Sequence, residues 1–212
     1  MTLSRLATVA LCLCLPGGAS GQEPGFQNRL DAATRSAVQP TLDAAARDSL
    51  PVGALQSKVL EGMAKRVAPV QIGQVVATLA DELRRARSAL RAELPTTPLD
   101  DGEVVATATA ARQGIDYDVV LSLWEARSDG RSLEIPVTIL GELVRRGIPA
   151  GEAAILVAHV VRTSVPLQVA AQIPGKFDGA LSAGAPPAGA LAEALRVLDI
   201  PTPGPSGRGP FR

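Results

Sequence analysis

From about residue 51 onward, apolar residues recur at steps of three and four, the period of an α-helix that turns one face inward. Leu55, Val59, Met63 and Val67 form the first such face, with Glu61 and Lys65 at the supportive i,i+4 spacing. The clearest seam follows Pro69: Ile72, Val76, Leu79, Leu83, Ala86, Leu90 and Leu94 alternate steps of four and three. This predicts one long helix over 69–94, closed by Pro95 and Pro98. Asp81 stands earlier in it, and Arg84, Arg85, Arg87 and Arg91 later, the order that the helix dipole favours.

Asp100 with Glu103 reads as a capping box opening the next helix, which runs to Arg112. Gly114 stops it, and Asp116 is placed to cap a helix striped with Tyr117, Val120, Leu121 and Trp124. After the polar turn 128–132, Pro136 fits the first turn of a helix whose inward residues are Val137, Leu140 and Val144. Gly147 ends that helix and Pro149 begins another, apolar on nearly every side through Val161 and so expected to be the most buried. A short helix after Pro166 and a last one over about 188–198 complete the set, with the Gly-rich stretch 175–189 reading as linker.

The segments outside this core read differently. Residues 22–50 form an Ala-rich lead-in with a small echo, Leu30-Asp31-Ala32-Ala33 and Leu42-Asp43-Ala44-Ala45, separated by Pro40. Alanine favours helix but buries little, so marginal helices are expected there. The tail 201–212 is rich in Pro and Gly and reads as disordered. The expected fold is all-α: a compact array of antiparallel helical hairpins over 51–200, with about seven to nine helices.

One corner recurs. Arg145-Arg146-Gly147-Ile148-Pro149 and Arg112-Gln113-Gly114-Ile115-Asp116 each join two helices, and Lys65-Arg66-Val67-Ala68-Pro69 is a weaker version. Basic residues suit a helix C-terminus, and glycine takes the left-handed cap. The aliphatic residue packs back, and Pro or Asp opens the next helix. The spacing between corners varies, so a regular solenoid does not follow. The second corner resembles the helix-turn-helix of bacterial DNA-binding proteins through Ala111, Gly114, Ile115, Val119 and Val120, over about twenty residues. That resemblance implies duplex binding, but the second helix would present Asp116, Asp118 and Glu125, which repel phosphate.

Composition narrows the picture further. Lys+Arg and Asp+Glu both number 21, which argues against a dedicated nucleic-acid binder. Aromatics are 2% of a chain that is 46% hydrophobic, so the core must be built from short aliphatic side chains. The only histidine, His159, lies in the apolar run 153–161 and reads as a helix-face residue rather than a catalytic base. Tyr117 and Trp124 read as core. Asp116 and Asp118 fail as a calcium loop because Val120 takes the next ligand position, and Asp100, Asp101 and Glu103 are accounted for by capping. No phosphate-binding glycine loop and no Gly-x-Ser-x-Gly motif occurs, so no catalytic, cofactor or metal residue is nominated. The one surface singled out is the arginine set Arg84, Arg87 and Arg91, a place for a protein partner or for a second copy through helix 69–94.

The first 21 residues have the parts of a secretory signal. Arg5 is the positive start, 6–15 the apolar run, Pro16-Gly17-Gly18 the break, and Ala19-Ser20-Gly21 the small residues before cleavage at Gln22. Its apolar run is too short to span a hydrocarbon core of roughly 30 Å. Cys12 and Cys14 both fall within it, so the mature chain would hold no cysteine. The expectation is an exported, periplasmic or extracellular helical protein, without a transmembrane segment, that acts by binding or structural contact in a bacterial envelope. The alternatives are a hydrolase with dispersed carboxylates and a helix-turn-helix DNA binder. Mass analysis of protein recovered from its own host is expected to give a chain beginning at Gln22. Recovery with Met1 retained would refute export.

Overall fold

The computed structural model describes residues 25–127, 130–163 and 165–201. The expected export signal, all of the tail beyond Pro201 and residues 128–129 of the polar turn lie outside the described residues. Within them the chain is helical throughout, with no strand. The elements are α1 (Ala32–Arg47), α2 (Val52–Ala64), α3 (Pro69–Glu93), α4 (Asp101–Arg112), α5 (Tyr117–Ala126), α6 (Glu134–Arg145), α7 (Ala150–Arg162), a single turn α8 (Leu167–Ala170), α9 (Ile173–Ser182) and α10 (Pro187–Val197). This is the all-α array that the periodicity predicts.

The packing is layered. Helices α1 and α2 lie on α3, and α3 passes the chain on to α4. Beyond it two hairpins stack, with α4 along α6 and α5 along α7, so like helices face like. The α9–α10 hairpin closes on itself and reaches the stack mainly through α6. Helix α7 carries more buried residues than any other described helix, among them Ala153, Leu156, Val157, Val160 and Val161.

Two readings of the sequence are corrected here. Pro40 does not separate two marginal helices but sits inside α1, a helix of 16 residues. Asp31 starts that helix by accepting a hydrogen bond from the Thr34 N–H at 2.8 Å. Val38, Leu42 and Ala45 are then fully buried. Gly73 of α3 explains how α1 comes so close, because a Cβ there would stand 2.9 Å from the Ala37 carbonyl oxygen. Burial against α3 outweighs the local cost of the proline, about 3 kcal/mol in an isolated helix. The second correction concerns 175–189, which is not simply linker. Residues up to Ser182 belong to α9, whose Ile173 and Phe177 are fully buried, while Gly175 and Gly179 face open space.

Helix α3 shows a smaller departure. Ile72, Val76, Leu83, Ala86 and Leu90 are buried as expected, but Ala80 takes the inward place at the turn where Leu79 is only half-buried. A straight helix drifts relative to a strict seven-residue repeat, and neighbours on two sides follow the drift.

The corner seen three times in the sequence occurs six times among the described residues. Ser49, Arg66, Gly114, Gly147, Gly184 and Asp199 all have φ between +54° and +90°. In each case the next N–H donates to the carbonyl five residues back, from Leu50 to Ala45 at 2.8 Å through Ile148 to Leu143 at 3.1 Å and Ile200 to Leu195 at 2.9 Å. Leu50, Ile115, Ile148 and Ile200 are buried by the same turn. Asp116 stands at the N-cap of α5 but makes no side-chain cap hydrogen bond.

A left-handed residue with a side chain costs about 1–2 kcal/mol, of which the stiffer unfolded chain returns part. Gly147→Ala, where a Cβ meets no neighbour, is therefore expected to destabilise by about 1 kcal/mol, and Arg66→Gly to stabilise by about 0.5 kcal/mol. Urea unfolding followed by circular dichroism tests both signs.

Candidate functional site

The three arginines nominated as a partner surface are bonded within the chain. The Arg84 guanidinium reaches Asp48 Oδ2 at 2.9 Å and Asp81 Oδ1 at 2.6 Å. Asp48, followed by Asp81, raises its pKa. Arg87 donates to the Ser49 carbonyl at 2.5 Å, and Arg91 to the Thr97 carbonyl at 2.7 Å. Two of them thus grip the α1–α2 corner, and the third holds the loop that follows α3. The apolar seam of α3 is likewise used internally, with Leu83 fully buried.

The N-terminal half of the same helix remains open. Between Arg66 and Asp81 there is no charged residue, and Val70, Gln71, Gln74, Val75 and Thr78 are exposed. Val70 and Val75 are 68% and 46% exposed, two of the three exposed large hydrophobic side chains among the described residues. Beside them a groove of about 200 Å³ runs between α2 and α3 with Val67, Ile72 and Val75 in its wall and Lys58, Glu61 and Lys65 on its rim. Glu61 bridges both lysines, and their hydrogen bonds hold its carboxyl down to about 2.

A second groove, of about 230 Å³, lies between α4 and α6. At one end Glu134 of α6 rests against Gly102 of α4, where a Cβ would fall 2.2 Å from Glu134 Oε2. At the other end Gln113, just past α4, rests against Gly141 of α6, where a Cβ would fall 2.5 Å from Gln113 Oε1. Each helix therefore supplies a glycine on which the other seats a polar side chain. Glu142 also lines this groove, but Arg145 and Arg146 both bond its carboxylate and lower its pKa. Arg146 in turn forms a two-pronged pair with Asp178 of α9 at 2.7 and 2.8 Å, which lowers the Asp178 pKa.

The groove is concave and holds two acids, as the hydrolase alternative calls for, and the two are held differently. Glu134 and Glu142 lie eight residues apart on one helix, a rise of about 12 Å. Glu142 is moreover held ionised by its two arginines.

Glu103 does more than its capping role suggests. The capping box with Asp100 is present, with the Glu103 N–H to Asp100 Oδ1 at 2.7 Å and the Asp100 N–H to Glu103 Oε2 at 3.2 Å. The carboxylate is also only 1% exposed, and its Oε1 accepts the Leu133 N–H at 3.0 Å and faces Arg127 at 3.4 Å. One side chain thus fixes the start of α4, the end of α5 and the entry to α6. A carboxylate preceding a helix could signal the cap, but nothing along the chain marked residues 127 and 133 as its partners.

The remaining candidates are dispersed. His159 is half-buried on α7, its Nε2 enclosed without a hydrogen-bond partner. Trp124 is buried and Tyr117 half-buried, both against the core. Asp116, Asp118 and Glu125, the acids of the helix-turn-helix-like corner, are exposed. Among the described residues no three His, Cys, Asp or Glu side chains gather as a metal site, and no helix is long and apolar enough to cross a membrane. No protein-family model, curated protein or solved structure matches the chain.

Glu103→Ala is expected to destabilise by about 3 kcal/mol, because it strands the Leu133 N–H and the Arg127 guanidinium in a buried place. Glu103→Gln, which keeps an acceptor, should cost about 1–2 kcal/mol. Equal losses for the two variants, measured by urea unfolding, would show that the carboxylate is no such junction.

Proposed function

We propose that the chain is an exported helical binding module of a bacterial envelope, which meets a protein partner through the N-terminal half of α3. The observation that carries this reading is the exposed, uncharged face of Val70, Gln71, Gln74, Val75 and Thr78 on a helix otherwise committed to its own core. Large exposed aliphatic side chains beside an apolar groove lose water favourably when covered, and a face without charge imposes no repulsion on a partner or on a second copy. Export is supported by the signal-like residues 1–21 and fits a chain with no cysteine beyond Cys14.

The test is association. Purified protein without the first 21 residues is run on size-exclusion with light scattering, alone and with partners captured from the envelope fraction. Val70→Asp with Val75→Asp is expected to abolish whichever association is seen, with an unchanged far-ultraviolet spectrum, because both side chains already face water. Association that survives the double substitution would refute this face as the contact.

A further inference from the structure

The groove between α4 and α6 has a chemistry that its structural duties do not explain. Its floor is apolar and small, formed by Val105, Ala106, Ala110 and Val137. Its polar lining consists almost wholly of acceptors. Thr109 Oγ1 gives its hydrogen to the Val105 carbonyl at 2.9 Å, and Thr138 Oγ1 gives its own to the Glu134 carbonyl at 2.8 Å. Each hydroxyl is then left with lone pairs only. The Glu134 carboxylate has no hydrogen bond or ion pair among the described residues. Gln113 Oε1 is enclosed and unpartnered, an orphan acceptor at the opposite end. The amide of Gln113 carries the one side-chain N–H in the lining.

An enclosed acceptor without a donor, and a carboxylate without a cation, mark places where a ligand's N–H groups regain what the protein leaves open. The spacing adds a second constraint. Glu134 and Gly141, where the two acceptors sit, are seven residues apart on α6, a rise of about 10.5 Å. The geometry points to a site for an aliphatic cation. A terminal ammonium or guanidinium pairs with Glu134, the methylene stem lies over Val105, Ala106 and Val137, and a neutral N–H at the far end meets Gln113 Oε1 once that side chain turns from its seat on Gly141 into the groove. A lysine or arginine side chain with its own backbone N–H has this pattern, and so does a free linear amine that carries a second donor. The far end takes the neutral donor because Glu142 is already balanced there by Arg145 and Arg146. This site is on different helices from the α3 face and stands or falls separately from it.

The experiment is an amide-shift titration of isotope-labelled protein with four probes: N-acetyl-lysine methylamide, N-acetyl-arginine methylamide, N-acetyl-1,4-diaminobutane and N-acetyl-norleucine methylamide. The three cations are expected to give saturable shifts at Gly102, Thr138 and Gly141, and norleucine none. Stronger saturation by the capped residues identifies a side chain of a protein or peptide as the natural occupant. Stronger saturation by N-acetyl-1,4-diaminobutane identifies a free amine. Glu134→Gln, at an exposed position that does not hold the fold, should weaken the cations about tenfold, the value of one charge-assisted hydrogen bond. Gly102→Ala should weaken them too by moving the carboxylate from its seat, with the helical spectrum intact. Shifts that fail to saturate, equal shifts with norleucine, or full binding by Glu134→Gln would each overturn the assignment.

Discussion

The fold depends on how its helices end. At six corners one residue enters the left-handed region, and the next N–H turns back to a carbonyl five residues earlier. That arrangement uses the last carbonyls of the helix and reverses the chain within a few residues. It also throws the following aliphatic residue inward, so Leu50, Ile115, Ile148 and Ile200 become core residues because of the turn they follow. Proline or aspartate then opens the next helix in extended geometry, as Asp116 and Pro186 do. Hairpins made this way present their helices side by side, and the stack of α4 on α6 and α5 on α7 is the consequence.

A core with so few rings needs close approach, since short side chains bury too little area at ordinary helix separations. Glycine supplies that approach at chosen places. Gly73 lets α1 lie against α3, and Gly62 leaves room for Ile72 at the α2–α3 corner, where a Cβ would stand 2.8 Å from Ile72 Cγ1. Gly102 and Gly141 do the same for α4 and α6, but what they receive is polar, Glu134 and Gln113. The same device that tightens the core elsewhere thus makes a polar groove here.

Much of the architecture was legible because its signals are local. The capping box at Asp100 and Glu103, the glycine corners at 114 and 147, and the seam of α3 all act within a few residues of sequence. The misreadings share a cause, which is that the deciding contact came from far along the chain. Pro40 and the alanines around it promise little alone, and only Gly73 and the buried face of α3 make α1 a full helix. In α9 the glycines at 175 and 179 mask the period of Ile173 and Phe177, which the contact with α10 rewards. The corners at Ser49 and Asp199 lacked glycine, although the aliphatic-proline pairs Leu50-Pro51 and Ile200-Pro201 repeat the mark seen after Gly147. For the sites, sequence could name Arg84, Arg87 and Arg91 as charged and Glu103 as a cap, but their partners lie at Asp48, Ser49, Thr97 and Leu133.

Those partners reveal an order in the charges. Arg84 joins α3 to the α1–α2 corner, Arg112 reaches Glu82 to join α4 to α3, Arg127 joins the end of α5 to α4, and Arg146 joins the α6–α7 corner to α9. Three of these pairs link one packing unit to the next along the chain, and the Arg127–Glu103 pair ties the α4–α5 hairpin to itself. The exposed pairs among them contribute little stability, so their value is in register, a slipped hairpin leaving a cation facing no acid, whereas the buried Glu103 with Arg127 also holds the fold. What such a surface offers an outsider includes the stretches between its engaged charges. Among them are the neutral face of Val70 and Val75 on one side and the donor-poor groove at Glu134 and Gln113 on another. The first favours contact through loss of water, and the second favours contact through hydrogen bonds that the protein leaves unmade.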